Sequence, residues 1–274
     1  MSDVSRRTIL LGGAVLASTP CAVVAQGALA GKLTVTGSST VAPLVLEIAK
    51  VFEKKHPRVR IDVQTGGSSR GIADARNGLA NIGMASRALY PTEQDLFGHT
   101  IARDGICVIL HKSNPVAQLT DSQVKDIFTG KVTDWKDVGG RPGRISVVNK
   151  AEGRSTLDLF LAHFKLKNSD IKASVVIGDN AQGVKTVIGS IGSIGYVSIG
   201  TAEFEVEQGT AIKLLPMNGV KPSTDTVKNG TFPLSRPLNL VTKAPPEGLM
   251  KAFIAFARSN EVHGLVREQF FVPL

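Results

Sequence analysis

The chain has 274 residues, of which 42% are hydrophobic, 20% are charged and only 5% are aromatic, and its formal net charge is +9. This length and apolar content are enough for a globular protein of one or two lobes, and the chain contains no internal repeat or low-complexity segment. The positive charge favours anionic partners, but the few aromatic residues and the absence of a known reading motif argue against nucleic acid.

The N-terminus has the pattern of an export signal. The string SRRTIL at 5–10 matches a twin-arginine signal, and the apolar stretch at 9–17 is too short to span a bilayer. Small residues then provide candidate cleavage sites at 23–25 and 28–30. We therefore predict that residues 1–30 are an export signal of the twin-arginine type and that the mature protein is periplasmic.

From residue 31 onward, strand and helix patterns alternate along the chain. Apolar or period-two runs predict strands at 33–35, 59–63, 106–110, 145–148, 173–177, 194–199, 212–215 and 238–242. Apolar residues at helical spacing predict helices at 43–55, 120–128 and 155–164. This alternation predicts an α/β fold with a mainly parallel sheet.

Three short turns rich in Gly, Ser and Thr each follow a predicted strand and open a helix. We name them the first turn (37–40, GSST), the second turn (66–71, GGSSRG) and the third turn (153–156, GRST). Ser and Thr are favoured at helix N-termini, where free N–H groups and the helix dipole attract anions. Because ligands in α/β sheets sit at the carboxyl ends of strands, the three turns together predict a site for one oxyanion.

Two stretches rich in Pro, Ser, Asn and Gly, at 112–115 and 220–233, are the best candidates for connections between lobes. Dividing the chain there gives lobe I, 31–112 plus 224–274, and lobe II, 113–223. The first two turns then belong to lobe I and the third to lobe II. A ligand held by all three turns would therefore sit in the cleft between the lobes.

Motifs spread over most of the chain resemble those of the phosphate-binding proteins of ABC importers, and they keep that family's order and spacing. They are GSSTVAP at 37–43, TGGSSRG at 65–71, IGMASR at 82–87, RDGI at 103–106, IFTGK at 127–131 with Trp135, IGYV at 194–197 and RPL at 236–238. The resemblance implies a two-lobe, type II periplasmic-binding-protein fold that closes on one phosphate ion. It also implies a permease partner in the inner membrane. A receptor that closes a cleft is by default a monomer, and we predict no cofactor.

The resemblance further implies which residues hold the anion. Carried onto this sequence, the ligand-binding set is Ser39, Thr40, Ser68, Ser69, Ser86, Asp104, Lys150, Arg154, Ser155 and Thr156. The hydroxyls would donate hydrogen bonds to phosphate oxygens. Ser86 stands where some family members have an acidic acceptor, and Asp104 could take that role. A carboxylate there would accept the proton of hydrogen phosphate and repel sulfate, which has no proton.

The third turn departs from the family pattern of an Arg, an acidic residue and then GSGT. Lys150 stands at the usual Arg position, where a point charge replaces a bidentate fork, and Arg154 stands in place of a small hydroxyl residue. Arg154 could restore the cation from its neighbouring position. Two alternatives stay open: a larger or organic oxyanion as the ligand, or a changed pocket in which Lys150 and Arg154 are surface charges.

Two other functions fit parts of the sequence. The string GSSRG at 67–71 matches G-x-S-x-G, which would make Ser69 a hydrolase nucleophile with His163 or His263 as its base. That motif comes early for a hydrolase sheet, and the hypothesis leaves the other two turns unexplained. A phosphate sensor without a transport role is the other alternative. The histidines have no metal-ligand spacing, so we predict no metal site. Because the hydrolase hypothesis leaves two turns unexplained, we also predict that the chain is not an enzyme.

Overall fold

The computed structural model describes residues 29–274, so nearly all of the predicted export signal at 1–30 lies outside the described residues. The strands are β1 (Ala30–Gly37), β2 (Arg58–Thr65), β3 (Ile82–Ala85), β4 (Phe97–His111), β5 (Ser146–Lys150), β6 (Val175–Ile177), β7 (Ser193–Ser198), β8 (Ile212–Leu214) and β9 (Ser235–Thr242). The helices are α1 (Ala42–Lys55), α2 (Ser68–Asn77), α3 (Asp121–Phe128), α4 (Ser155–Phe164), α5 (Asn180–Ile188), α6 (Ile199–Glu207), α7 (Thr224–Lys228), α8 (Gly248–Ala257) and α9 (His263–Glu268). The predicted α/β alternation is confirmed.

Local sequence accounts for the helix boundaries that were predicted. Helix α1 has Pro in its first turn, where the missing N–H is not needed, and it ends just before Pro57. Helix α3 begins with a capping box, in which the Thr120 hydroxyl accepts from the Gln123 backbone and the Gln123 side chain accepts from the Thr120 N–H.

The prediction of a mainly parallel sheet is wrong, because the sheet is mixed. Its strand order is β2-β1-β3-β9-β4-β7-β5-β6, with β8 also paired to β4. The outer pairs β1–β2, β1–β3, β5–β6 and β5–β7 are parallel. The pairs at the centre, β3–β9, β4–β9, β4–β7 and β4–β8, are antiparallel. Strands β4 and β9 join the two parallel halves, and their pairing over distant parts of the chain leaves no local sequence signal.

Two hydrophobic clusters form the main cores and meet along β4. One packs α1, α8 and α9 against β1 and β3 and includes Ile101 and Leu238. The other packs α3, α4 and α5 against β5 and β7 and includes 106–110 and Leu234. The chain therefore passes from one core to the other within β4 and again at the start of β9.

The three turns lie at the carboxyl ends of strands, as predicted. The first turn follows β1 and the second follows β2, and these strands are parallel with Gly37 in register with Thr65. The third turn follows β5 in the other half of the sheet. Within residues 29–274, no helix has the length and apolar content needed to cross a membrane.

Candidate anion-binding site

Backbone hydrogen bonds join the three turns directly. Gly66 and Gly67 of the second turn both donate from their N–H groups to the Gly37 carbonyl of the first turn, each at 2.9 Å. Ser69 of the second turn donates from its N–H to the Gly153 carbonyl of the third turn at 3.2 Å. The sequence-distant turns therefore meet at one place between the two cores.

Gly67 permits the close approach of the second and third turns. Its φ is +96°, and a β-carbon there would lie 2.8 Å from the Gly153 carbonyl oxygen and 2.9 Å from Cδ of Arg154. Both the backbone conformation and the available space therefore require glycine.

Arg236 lies at the centre of the site and was not among the predicted site residues. Its side chain is 2% exposed. Nη2 donates to the Thr40 hydroxyl oxygen at 3.3 Å and Nη1 to the Thr156 hydroxyl oxygen at 3.1 Å. One buried guanidinium from β9 therefore connects the first turn with the N-terminus of α4.

Asp104 on β4 holds this guanidinium in place. Its Oδ2 accepts from Nε and Nη2 of Arg236 at 3.2 and 2.9 Å, and also from the Ser198 hydroxyl at 2.9 Å. Its Oδ1 accepts from the Gly200 N–H at 3.2 Å. The two residues also face each other in the β4–β9 register. The buried cation is thus neutralised from the side of the sheet, and its Nη atoms extend towards the turns.

Four buried hydroxyls of the three turns keep their hydrogens available for a ligand. Thr40 and Thr156 use lone pairs to accept from Arg236, and Ser68 accepts from the Ser86 N–H at 3.2 Å. A hydroxyl that accepts in this way can still donate its own hydrogen. Ser155 Oγ is buried and has no hydrogen-bond partner among residues 29–274. The site therefore presents hydrogen-bond donors without matching acceptors, as an anion requires.

The helices that begin at the three turns have no side-chain cap. Helices α1, α2 and α4 start without a capping hydrogen bond from the side chain at the N-cap position. In contrast, side chains cap α3, α5, α6 and α7. Helices α8 and α9 are also uncapped but begin away from the turns. At α1, however, the Ser38 hydroxyl accepts from the Thr40 and Val41 N–H groups, and at α2 the Gly153 carbonyl accepts from the Ser69 N–H. The remaining first-turn N–H groups of α2 and α4 are left for a ligand to satisfy.

Lys150 is buried, but its ammonium is directed to the start of α5. Nζ donates to the Asp179 carbonyl at 2.7 Å and to Oδ1 of Asn180 at 3.0 Å. Burial lowers the pKa of Lys150 to about 7; the Asp179 carboxylate opposes that shift, whereas the Arg236 and Arg154 guanidiniums add to it. Lys150 therefore adds positive charge behind the site.

The remaining predicted residues lie at the edges of the site. Arg154 is half-buried, passes over Gly67, and forms no hydrogen bond or ion pair within the described part of the chain. Ser39 is half-buried and Ser69 is exposed. Ser86 is buried behind the second turn and contacts Ser68 through its backbone.

A second set of contacts spans the cleft beside the site. Two nitrogens of Arg87 donate to Glu93 at 2.7 and 2.8 Å, and the Tyr90 ring stacks on the guanidinium at 3.7 Å from its centroid. Arg87 Nε lies 3.7 Å from Asp158 of α4. Burial raises the pKa of the Asp158 carboxyl. Arg87 thus braces the cleft and is already paired.

A cavity of about 340 Å³ opens next to the first turn, between α1 and α5–α6. Thr40 and Asn180 form part of its wall, and Pro43, Leu46 and Phe204 give it an apolar surface. The hydrogen bond from Asn180 Nδ2 to Thr40 Oγ1, at 3.1 Å, lies where the cavity meets the site. The cavity has room for an organic group attached to an anion held at the turns.

Arg236, Asn180 and Ser198 are the functional candidates that sequence reasoning missed. Arg236 belongs to the RPL motif that carries the family resemblance, so the sequence does contain a signal for this residue. Asn180 and Ser198 begin helices, and their side chains resemble ordinary helix-end residues in the sequence.

The geometry around Ser69 does not form a nucleophile–base pair. No histidine contacts the Ser69 hydroxyl in the described part of the chain, and His163 Nε2 instead pairs with Asp121 Oδ2 at 2.9 Å. No cluster of His, Cys, Asp and Glu suited to a metal ion occurs among residues 29–274.

Comparison with known proteins gives relatives over most of the chain, and residues 22–261 match the PBP superfamily domain. The phosphate-binding protein PstS of Bacillus subtilis is 29% identical over 89% of this chain and 81% of its own length. PstS of Staphylococcus epidermidis is 30% identical over 82% of this chain and 74% of its own length.

A solved structure from Clostridium perfringens, described as a phosphate ABC transporter substrate-binding protein with bound phosphate, is 32% identical. It superposes with a TM-score of 0.82 and covers 89% of this chain and 100% of its own. Together with the matched domain, this similarity extends over both halves of the sheet and all three turns. The chain belongs to the PBP superfamily and, within it, to the family of PstS phosphate-binding proteins.

Proposed function

We propose that this chain is an extracytoplasmic solute-binding protein that captures phosphate for an ABC importer, and that it is not an enzyme. One observation carries the proposal: a buried guanidinium joins two Gly/Ser/Thr turns, whose buried hydroxyls have no acceptor for their hydrogens among residues 29–274. A relative with the same fold is described with bound phosphate. Four hydroxyl residues of the set proposed from sequence, Thr40, Ser68, Ser155 and Thr156, would form the cage together with Arg236, whereas Lys150 faces α5 and Ser69 is exposed.

Directed donors can replace the hydration shell of the ion. Thr40, Ser68, Ser155 and Thr156 would donate from hydroxyls, and the N-termini of α2 and α4 from backbone N–H groups. The Arg236 guanidinium supplies the charge. Hydrogen bonds to a charged group contribute about 1.5–3 kcal/mol each, so several preorganised donors offset the dehydration of phosphate.

Asp104 is our candidate for the acceptor that distinguishes phosphate from sulfate. Its Oδ2 is occupied by Arg236 and Ser198, whereas Oδ1, among the residues that the structure describes, accepts only the Gly200 N–H. A carboxylate oxygen has two lone pairs, so Oδ1 has one left for the proton of hydrogen phosphate. Sulfate has no proton to donate, so its oxygen would face this carboxylate oxygen without a hydrogen bond.

Capture requires the two halves to open and close around the ion. From the sequence we propose lobe I as 31–112 plus 224–274 and lobe II as 113–223. The two cores move the proposed connection to β4 and the start of β9, because 106–110 and Leu234 pack in the core of lobe II. Residues 1–30 would direct twin-arginine export to the periplasm, where the closed monomer would meet its permease. The cross-cleft bonds Arg236–Thr156 and Asn180–Thr40 support this closure, because each joins the two halves.

Isothermal titration calorimetry with phosphate, sulfate, arsenate and phosphate monoesters tests this function. We expect tight binding of phosphate and arsenate and at least about tenfold weaker binding of sulfate. Preference for a monoester would instead assign the cavity beside Thr40 to an organic group. The absence of heat with every oxyanion would overturn the proposed function.

A further inference from the structure

We propose that Lys150 is a positioning residue that fixes the side-chain amide of Asn180 in the orientation that leaves the Thr40 hydroxyl hydrogen free for the anion. This inference rests on the proposed function. Lys150 stands where the family pattern has Arg. The inference gives Lys150 a role that does not involve contact with the ligand.

The ammonium decides which way the Asn180 amide faces. An ammonium has three donors and no acceptor, so its 3.0 Å contact with Asn180 must be made with Oδ1. Nδ2 then faces the other way and donates to the hydroxyl oxygens of Thr40 at 3.1 Å and Thr201 at 3.2 Å. Asn180 is 5% exposed, so water cannot easily replace these partners.

The orientation of Asn180 in turn decides what Thr40 does with its hydrogen. Thr40 Oγ1 accepts from Asn180 Nδ2 and from Arg236 Nη2, which uses both of its lone pairs. Its single hydrogen therefore points away from both, towards the space enclosed by the turns. If Asn180 flipped, Oδ1 would face Thr40 and accept that hydrogen, and the anion would lose a donor.

Protonation of Lys150 controls this arrangement. A neutral amine has a lone pair and can accept from the Asn180 amide, so it no longer forbids the flip. The charged and titratable groups that face Lys150 are Asp179 from the start of α5, Arg154 from the third turn, Arg236 from β9 and the Tyr196 hydroxyl from β7. With the pKa lowered to about 7, the ammonium is lost as the pH rises above neutrality.

A double-mutant cycle measured by phosphate calorimetry tests the inference. Lys150→Met is expected to weaken phosphate binding by about tenfold, and to cause less than about twofold further loss in an Asn180→Ala background. An equal tenfold loss in that background would show that Lys150 acts on the anion directly and would overturn the inference. Lys185→Met removes an exposed lysine from the same helix, α5, and is expected to leave the affinity unchanged.

The pH dependence of phosphate binding provides a second readout. If Lys150 had only a structural role, its effect on affinity would not depend on pH. The ratio of wild-type to Lys150→Met affinity cancels the ionisation of phosphate itself, and it is expected to fall between pH 6 and 8.5 as the ammonium deprotonates. A constant ratio over this range would overturn the inference.

Asn180→Asp provides an independent variant if the lysine substitution prevents folding. It keeps an acceptor for Lys150 but puts an acceptor in place of the Nδ2 donor, so phosphate binding is expected to weaken by at least about tenfold. Unchanged affinity would contradict the inference. Wild-type protein that fails to bind phosphate would refute the proposed function itself, whereas binding with additive losses would refute only the role of Lys150.

Discussion

At Ser155, the contribution of a side chain to ligand binding can be separated most clearly from its contribution to stability. Its hydroxyl is buried at the first position of α4 and has no hydrogen-bond partner within the described residues. A buried hydroxyl without a partner costs about 1–3 kcal/mol, so the ligand-free fold gains nothing from it. We expect Ser155→Ala to leave the free energy of unfolding unchanged or raise it, and to weaken phosphate binding by about tenfold or more, as measured by denaturation and calorimetry.

Ser198 is the matched control for this substitution. It is equally buried, but its hydroxyl donates to Asp104 and accepts from the Thr201 N–H at the start of α6. Ser198→Ala should therefore lower the free energy of unfolding by about 1–2 kcal/mol. A loss of stability in Ser155→Ala as large as in Ser198→Ala would show that Ser155 has a structural partner after all.

The charge of Asp104 has two effects that one substitution can distinguish. Asp104→Asn keeps the shape of the side chain but weakens its pairing with Arg236 and removes the proposed acceptor for hydrogen phosphate. We expect weaker phosphate binding and a fall of about tenfold in the ratio of phosphate to sulfate affinity, measured by calorimetry. An equal loss for both anions would mean that Asp104 only positions Arg236.

The position of the second turn depends on the absence of a side chain at Gly67. A β-carbon at Gly67 would lie 2.8 Å from the carbonyl of Gly153, so Gly67→Ala would push the second and third turns apart. We expect phosphate affinity to fall by at least about tenfold, because hydroxyls of both turns then leave their positions. Calorimetry of the folded variant checks this.

A substitution of Gly78, at the end of α2, is the control that distinguishes backbone strain from this steric effect. Its φ is +73°, but a β-carbon there would meet nothing within 4 Å. Gly78→Ala should lower the free energy of unfolding by about 1 kcal/mol and leave phosphate affinity unchanged. Equal affinity losses in both alanine variants would assign the effect to strain rather than to the contact between turns.

The sequence was sufficient to predict the elements whose signals are local. The Thr120 capping box, Pro43 at the start of α1 and the three turns all depend on residues that are close in the chain. The centre of the site depends on pairing between β4 and β9, which brings Asp104 beside Arg236 across 132 positions. No local pattern records that register, and the orientation of Lys150 towards Asn180 depends equally on tertiary packing.

At the scale of the whole molecule, the binding site is the surface along which two separate cores meet. Each core buries its own strands and helices, and they share β4. The cross-cleft contacts beside the turns are a few hydrogen bonds and the Arg87–Asp158 pair. Such contacts are weak enough to break when the lobes open, and a bound anion adds the interactions that favour the closed form.

A disulfide across the cleft would test whether this opening admits the ion. A β-carbon placed on Gly153 would lie 3.5 Å from Cβ of Ser69, a spacing of the size that disulfides require. We expect the oxidised Ser69→Cys, Gly153→Cys variant to bind phosphate with an association rate at least about tenfold slower than wild type, because the lobes cannot separate. Reduction should restore the rate, as measured by stopped-flow with labelled protein.

The native cysteines do not prevent this measurement. Cys107 is buried and burial raises the pKa of its thiol, so it reacts slowly, and Cys21 can be replaced by Ser in the background. Each single cysteine variant controls for the substitutions themselves, including the strain of a side chain at Gly153, where φ is +77°. Oxidised protein that exchanges phosphate as fast as its reduced form would show that the ion reaches Arg236 by a path that needs no separation of the second and third turns.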